Sequence, residues 1–240
     1  GAWQSLEKAH HHFDPVYRTV ELTKAQLSDH VTMLGFIGSP WTVATYMVAG
    51  QGSKDQGAAR ALAWRDPDAF QSLVDAIEAA SLEYLFGQID AGAEAVQLFD
   101  SWAGSLSPSQ FERWVIAPNA RLTAAIHEAR PGIPVIGFPK GAESKLPAYA
   151  RETGVDAVGI DETTDPVWIA SQLPANMPVQ GNLDPMLLLA GGSELDGQVA
   201  KICDAFADRP HVFNLGHGIG QFTPIANVEA LVAAVRNWEG

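Results

Sequence analysis

The chain has 240 residues, 47% hydrophobic and 18% charged, with 22 glycines and 15 prolines. This is globular composition, neither fibrous nor disordered, and long enough for one large core. A formal net charge of −13 without any block of basic residues argues against nucleic-acid or anionic-membrane binding.

The single cysteine, Cys203, excludes an internal disulfide and a cysteine-rich zinc site. It fits a reducing compartment. No apolar run reaches the roughly 18 residues of a membrane span, and no signal-like segment opens the chain. A cytoplasmic location is the expectation.

In chain order, residues 1–33 read as helix, with Val20, Leu22 and Leu27 on its apolar side and no strand. Within it, His10-His11-His12 reads as a solvated face, because three adjacent side chains on a regular helix cannot meet one ion. Six short, almost continuously apolar runs follow. They are Leu34 to Ile37, Ala95 to Phe99, Pro134 to Phe138, Ala157 to Ile160, Pro178 to Gly181 and His211 to Leu215. Runs of this kind suit strands buried on both faces of a parallel sheet.

Helix-period segments lie between them. Residues 67–91 place Phe70, Leu73, Val74, Ile77, Leu85 and Ile89 on one stripe. Residues 108–129 repeat the pattern with Phe111, Val115, Leu122 and Ile126. Asp66-Pro67, Ser107-Pro108, Asp165-Pro166, Asp184-Pro185 and Thr223-Pro224 each set a capping side chain before proline, which predicts helix starts. Ser107 with Gln110 has capping-box spacing. Gly92, Gly154 and Pro131-Gly132 mark helix ends.

Strand followed by capped helix, six times over, defines an α/β array with right-handed crossovers. Small polar residues follow each strand end, which favours a TIM (β/α)8 barrel over an open sheet with one switch point. A closed barrel needs eight units, so an incomplete barrel of about six units in a single domain, 1–240, is expected. Two units are expected to be lacking ahead of Leu34, leaving exposed strand edges.

Barrel chemistry stands just after the strands. Those positions carry Ser39 and Tyr46, Asp100 and Ser101, Lys140, Asp161, Asn182 and Asp184, and His217. Capping accounts for Asp165 and Asp184. Asp161 fits either catalysis or the bracing of neighbouring loops, and Lys140 either anion binding or a solvated loop. Gly216-His217-Gly218-Ile219-Gly220 is a weak phosphate-cradle signal, since residues intervene before Pro224. His217, flanked by glycines at a strand end, is placed for binding or proton handling.

Four segments carry a family resemblance. Gly35-Phe36-Ile37-Gly38-Ser39-Pro40-Trp41-Thr42 followed by Tyr46-Met47-Val48-Ala49-Gly50 resembles the region after the third barrel strand of uroporphyrinogen decarboxylases. Phe99-Asp100-Ser101-Trp102-Ala103-Gly104 is similar to their strand-four motif, and Gly181-Asn182-Leu183-Asp184-Pro185 to their strand-seven motif. Asn214-Leu215-Gly216-His217-Gly218-Ile219 resembles their strand-eight motif. The likeness runs from about Leu6 to Glu239.

The resemblance implies a lyase of porphyrin and haem biosynthesis. It would remove four acetate carboxylates from uroporphyrinogen III, giving coproporphyrinogen III, without metal or organic cofactor. It implies that Tyr46 lies near the substrate, that Ser101 contacts a carboxylate arm, and that His217 lines the cleft. It also implies a homodimer with facing clefts. Two family features, an N-terminal arginine-rich loop and an early aspartate that binds the pyrrole N–H groups, match no residue here. The 240-residue chain alone is therefore expected to show negligible turnover. The alternatives are a zinc-dependent methyltransferase of the same fold, disfavoured by the single cysteine, and a non-catalytic tetrapyrrole-binding module.

Overall fold

Alternation between apolar runs and capped helices becomes six parallel strands in the order β1-β2-β3-β4-β5-β6. The computed structural model describes residues 10–239. Its strands are β1 (Leu34–Gly38), β2 (Ala95–Asp100), β3 (Val135–Pro139), β4 (Ala157–Gly159), β5 (Val179–Gln180) and β6 (His211–Val212). Every predicted strand is present, with ends displaced by a residue or more. In-register pairing runs from Leu34 opposite Ala95 to Gly38 opposite Phe99, and on from Val96 opposite Val135 to Asp100 opposite Pro139.

Eleven α-helices are assigned among the described residues: α1 (His10–Lys24), α2 (Pro40–Ala49), α3 (Gly57–Arg65), α4 (Pro67–Asp90), α5 (Pro108–Phe111), α6 (Ala117–Ala129), α7 (Leu146–Glu152), α8 (Pro166–Gln172), α9 (Pro185–Ala190), α10 (Glu194–Ala205) and α11 (Ile225–Arg236). The triple-histidine reading falls on α1. His12 is exposed, while the side chains of His10 and His11 lie outside the described residues.

The helices cover the outer face of the sheet. Between them sits an aromatic wedge, with Trp41 against Phe70 at 5.7 Å and Phe70 against Trp114 at 4.7 Å, all three fully buried. Each such side chain contributes on the order of 2–3 kcal/mol by leaving water. Arg121 on α6 grips Glu78 on α4 through two hydrogen bonds of 2.9 and 2.6 Å, tying the two longest helical segments together.

The capping predictions separate into two groups. Asp66, Asp165 and Asp184 accept from the backbone N–H groups of Ala69, Trp168 and Met186. Ser107 makes no capping bond, and Gln110 does not supply the reciprocal one: it is buried and accepts from Trp114 Nε1 at 2.8 Å. Thr223 does not cap either: its N–H closes a turn onto the Gly220 carbonyl, and α11 starts after Pro224.

The predicted helix over 108–129 is continuous but widens to a π-helical stretch at Glu112–Ile116. Pro118 lies just beyond. Its ring cannot accept an ordinary helical neighbour four residues back and it has no N–H to give, so the preceding turn loosens.

β6 is shorter than the run of residues suggested. Gly181, at φ 135°, turns the chain out of the β5 ladder. Pairing resumes only where Leu183 meets Leu215. Among the described residues β1 and β6 each pair on one side only, so the barrel is incomplete. Phe36 and Val212 on those edge strands are each 58% exposed.

Candidate active site at the strand tops

Side-chain parity along β2 separates two environments. Val96, Leu98 and Asp100 are fully buried on the helix-covered side, while Gln97 and Phe99 face the barrel interior. The inner face carries an aromatic row, with Phe36 edge-on to Phe99 at 5.9 Å and Phe99 edge-on to Phe138 at 5.8 Å. Below it Gln180 Nε2 donates to Gln97 Oε1 at 3.3 Å, joining two strands that are not neighbours.

Gln97, Phe99, Phe138 and Gln180 border a cavity of about 270 Å3, which His217 and Ile219 line from the loop after β6. Its mixture of flat aromatic surface and a few polar groups suits an amphipathic ring system. A second hollow, about 550 Å3, opens outside the barrel between α8, α9 and α10. Three of its four carboxylates are committed elsewhere, Glu194 being the fourth: Asp165 and Asp184 cap helices, Asp165 also meets Lys201 at 3.4 Å, and Glu162 meets Lys140 at 3.3 Å.

The predicted site residues are placed as follows. Tyr46 is exposed on the second turn of α2, its ring 6.4 Å from that of Trp102. Ser101 is part-buried in the turn leaving β2, immediately before Trp102. Tyr46 thus lies beside Trp102, the residue that follows Ser101, and neither Tyr46 nor Ser101 lines the cavity. His217 is exposed and borders the cavity beside Phe99, two residues before Ser101 along β2.

Other strand-top residues have structural work. Asp161 is buried and accepts from Gly141 N at 2.6 Å and from Thr163 N at 2.9 Å, so it braces the β3 and β4 loops. Asn182 Nδ2 donates to the carbonyls of Asp161 and Thr164, fastening the β4 loop to the β5 loop. Lys140 is neither free nor fully solvated: it is three-quarters buried and paired with Glu162. Gly216 fits where only glycine can, since a Cβ there would lie 2.1 Å from the Glu162 backbone nitrogen.

Asp100, grouped with the strand-top residues on sequence, faces away from the cavity. Burial raises its pKa to about 7, against the opposing pull of hydrogen-bonding groups on Thr42 and Asn119. Burial and the nearby Asp100 push the Tyr149 hydroxyl well above its ordinary range. The interior glutamines Gln97 and Gln180 were not singled out on sequence. A polar residue inside an apolar strand run was the available signal for both.

Among the described residues no three His, Cys, Asp or Glu side chains assemble into a metal-ligating group. The zinc site required by the methyltransferase reading therefore has no donor set there.

A parallel βα array, helices outside and a ligand-sized cavity at the strand tops, defines a barrel-type ligand-binding or catalytic protein. A family model described as uroporphyrinogen decarboxylase matches residues 2–238. The chain is 65% identical over 237 residues to a protein named uroporphyrinogen decarboxylase from Novosphingobium aromaticivorans, covering 99% of this chain and 70% of that one. It is 61% identical over 236 residues to the protein of that name from Erythrobacter litoralis, covering 98% of this chain and 69% of that one. A solved methyltransferase from Methanosarcina mazei superposes with a TM-score of 0.80 at 19% identity, over 92% of this chain and 63% of that chain, a likeness of fold. The chain belongs to the uroporphyrinogen decarboxylase family.

Proposed function

We propose that the chain supplies the strand-top half of a uroporphyrinogen decarboxylase active site, a carboxy-lyase that takes uroporphyrinogen III to coproporphyrinogen III. The observation that supports this reading is the aromatic-walled cavity bordered by Phe99, Phe138 and His217, while motif likeness supports the roles of Tyr46 and Ser101.

The chemistry asked of such a site is modest in its parts. Protonating a pyrrole α-carbon makes the ring an electron sink. The acetate C–C bond then breaks, its electron pair flows into the ring, and carbon dioxide leaves. Proton return to the exocyclic carbon leaves a methyl group, and loss of the α-proton restores the pyrrole. The protein must hold the macrocycle and manage protons. In this reading Phe36, Phe99 and Phe138 bear on the ring face, Ser101 donates to a carboxylate arm, and Tyr46 and His217 flank the reacting acetate. Sequence resemblance supports these roles, as does the position of His217 at the cavity.

We read residues 1–240 as one domain, supported by the single six-stranded sheet. We read the working protein as a cytoplasmic homodimer, with the family as support. Among the described residues no helix is long and apolar enough to cross a membrane.

The test compares the 240-residue chain with the same chain joined to the N-terminal third of the Novosphingobium relative. Reduced uroporphyrinogen is supplied, and products are separated by carboxylate number. The joined enzyme should yield the four-carboxylate product and the chain alone almost none. In the joined enzyme Tyr46→Phe and His217→Asn should each lower kcat/KM by about 100-fold or more, as loss of a positioned proton-handling group does, and Ser101→Ala by less. A joined enzyme that folds yet leaves uroporphyrinogen untouched would refute the assignment.

A further inference from the structure

The site as described leaves a buried polar cluster unused directly behind it. Asp100 is fully buried, with Oδ1 accepting from Thr42 Oγ1 at 2.6 Å and Oδ2 without a hydrogen-bond partner. The same Thr42 hydroxyl accepts from the backbone N–H of Trp102 at 3.3 Å. One residue earlier, Trp41 Nε1 donates to the Trp102 carbonyl at 3.0 Å, and the backbone N–H of Ser39 donates to Phe99 O at 2.8 Å.

Both backbone groups of Trp102 are therefore held by the first turn of α2, the helix that carries Tyr46 one turn further on. Ser101 sits between the two anchored residues Asp100 and Trp102. The hydroxyl of Thr42 has one proton to give. While that proton is directed at Asp100, a lone pair remains available to the Trp102 N–H. Without an acceptor at Asp100, the hydroxyl is free to turn toward a helix carbonyl, as threonines in helices do.

Two other side chains bear on the carboxyl: Asn119, whose hydrogen bonding opposes the burial that raises the Asp100 pKa, and Tyr149. Asn119 gives its amide to Val115 O at 2.8 Å and accepts from Ser39 Oγ at 3.0 Å. The Tyr149 hydroxyl, also buried without a partner, lies over Gly137 on the neighbouring strand.

We propose that Asp100 is a positioning residue: acting through Thr42, it locks α2 to the Ser101–Trp102 turn and so sets the spacing between Tyr46 and Ser101. The proposal rests on the decarboxylase reading of that pair. Asp100 touches no substrate in this account, and its contribution reaches the reaction only through the two residues it aligns. The raised pKa of Asp100 agrees with a buried carboxyl kept for hydrogen bonding rather than for charge.

The test uses the joined enzyme. Thr42→Val removes the relay while nearly keeping its shape, and should raise KM about tenfold or more with a smaller fall in kcat. Combined with Ser101→Ala it should cost little beyond Ser101→Ala alone, because a misplaced Ser101 and an absent one are equivalent. Asp100→Asn retains an oxygen that can accept from Thr42, and should keep kcat/KM within about threefold of the parent. Asp100→Leu, lacking that oxygen, should behave as Thr42→Val does.

Additive losses in the Thr42→Val and Ser101→Ala pair would overturn the proposal. So would a fall of more than about tenfold in Asp100→Asn, which would make Asp100 an acid or base. Should Thr42→Val or Asp100→Leu fail to fold, Thr42→Ala alone and paired with Ser101→Ala makes the same comparison, and additive losses there overturn the proposal equally. A parent enzyme without any decarboxylation would fail the functional reading instead.

Discussion

Two corners of the strand-top surface are built in opposite ways. At the β1–β3 corner the turns are fastened by short hydrogen bonds to buried groups: Thr42 to Asp100, Trp41 to Trp102, Lys140 N–H to Asp100 O, and Gly104 N–H to Lys140 O. Behind them lies the Trp41, Phe70 and Trp114 wedge. At the β6–α11 corner the strand has two residues, and the loop after it leaves Phe222 80% and Ile225 77% exposed. His217 belongs to this second corner, Tyr46 and Ser101 to the first. The contrast teaches that the proposed site would join a densely hydrogen-bonded wall to a sparsely backed one, so substitutions should divide between those that unfold the protein and those that alter only its reaction.

The largest effect should come from breaking the densely bonded corner at its base. Phe70→Ala empties a fully buried position between two tryptophans and should cost about 3–5 kcal/mol, read from the shift of a urea unfolding midpoint. Next comes the one tight point of the other corner. Gly216→Ala would set a methyl group against the Glu162 backbone, and overpacking of this kind should cost about 1–3 kcal/mol. Because His217 is the next residue, activity in the joined enzyme should fall further than stability alone explains. Parent-like activity and stability together would show that the loop moves aside freely.

A third measurement separates the corners by pH. Asp100 titrates at about 7 in the folded protein, and an unperturbed aspartate at about 3.9. Between those values the native state keeps a proton that the unfolded chain has released. Stability from this group is therefore complete below about pH 4 and is lost as pH rises to about 7. Relative to the parent, Asp100→Asn should lack a decline of about 1 kcal/mol per pH unit across that window, measured as the urea midpoint at several pH values. Parallel curves for parent and variant would mean that Asp100 is ionised in the folded state.

Much of this architecture was readable in the residues, and the exceptions have physical causes. All six apolar runs became strands: the inner ones are buried on both faces, and β1 and β6 keep the same apolar run although one face of each is exposed. Aspartate before proline marked three helix starts, whereas Ser107 and Thr223 make no capping bond: the Gln110 side chain is taken by Trp114, and the Thr223 backbone closes a turn onto Gly220 ahead of α11. Motif likeness nominated Tyr46, Ser101 and His217. The strand parity that turns Asp100 away from the cavity was also present in Gln97, Leu98 and Phe99, but a polar residue at a strand end drew attention first. The Gln97–Gln180 bond and the Lys140–Glu162 pair join residues 83 and 22 positions apart, and only the curved sheet brings them together.

The smallest expected effect tests the sparsely backed corner itself. Phe222 is four-fifths exposed, so replacing it removes almost no buried apolar area. Phe222→Ser should shift the unfolding midpoint by no more than about 0.5 kcal/mol, as surface changes usually do. Phe222 follows the His217 loop by a few residues and, like Ile219 and Ile225, is exposed. If Phe222 is solvent-facing surface in the working enzyme, the variant should also keep the parent's kcat/KM. A loss of stability above about 1 kcal/mol would mean that Phe222 packs against protein in solution, and the corner would then be as firmly backed as the one around Asp100.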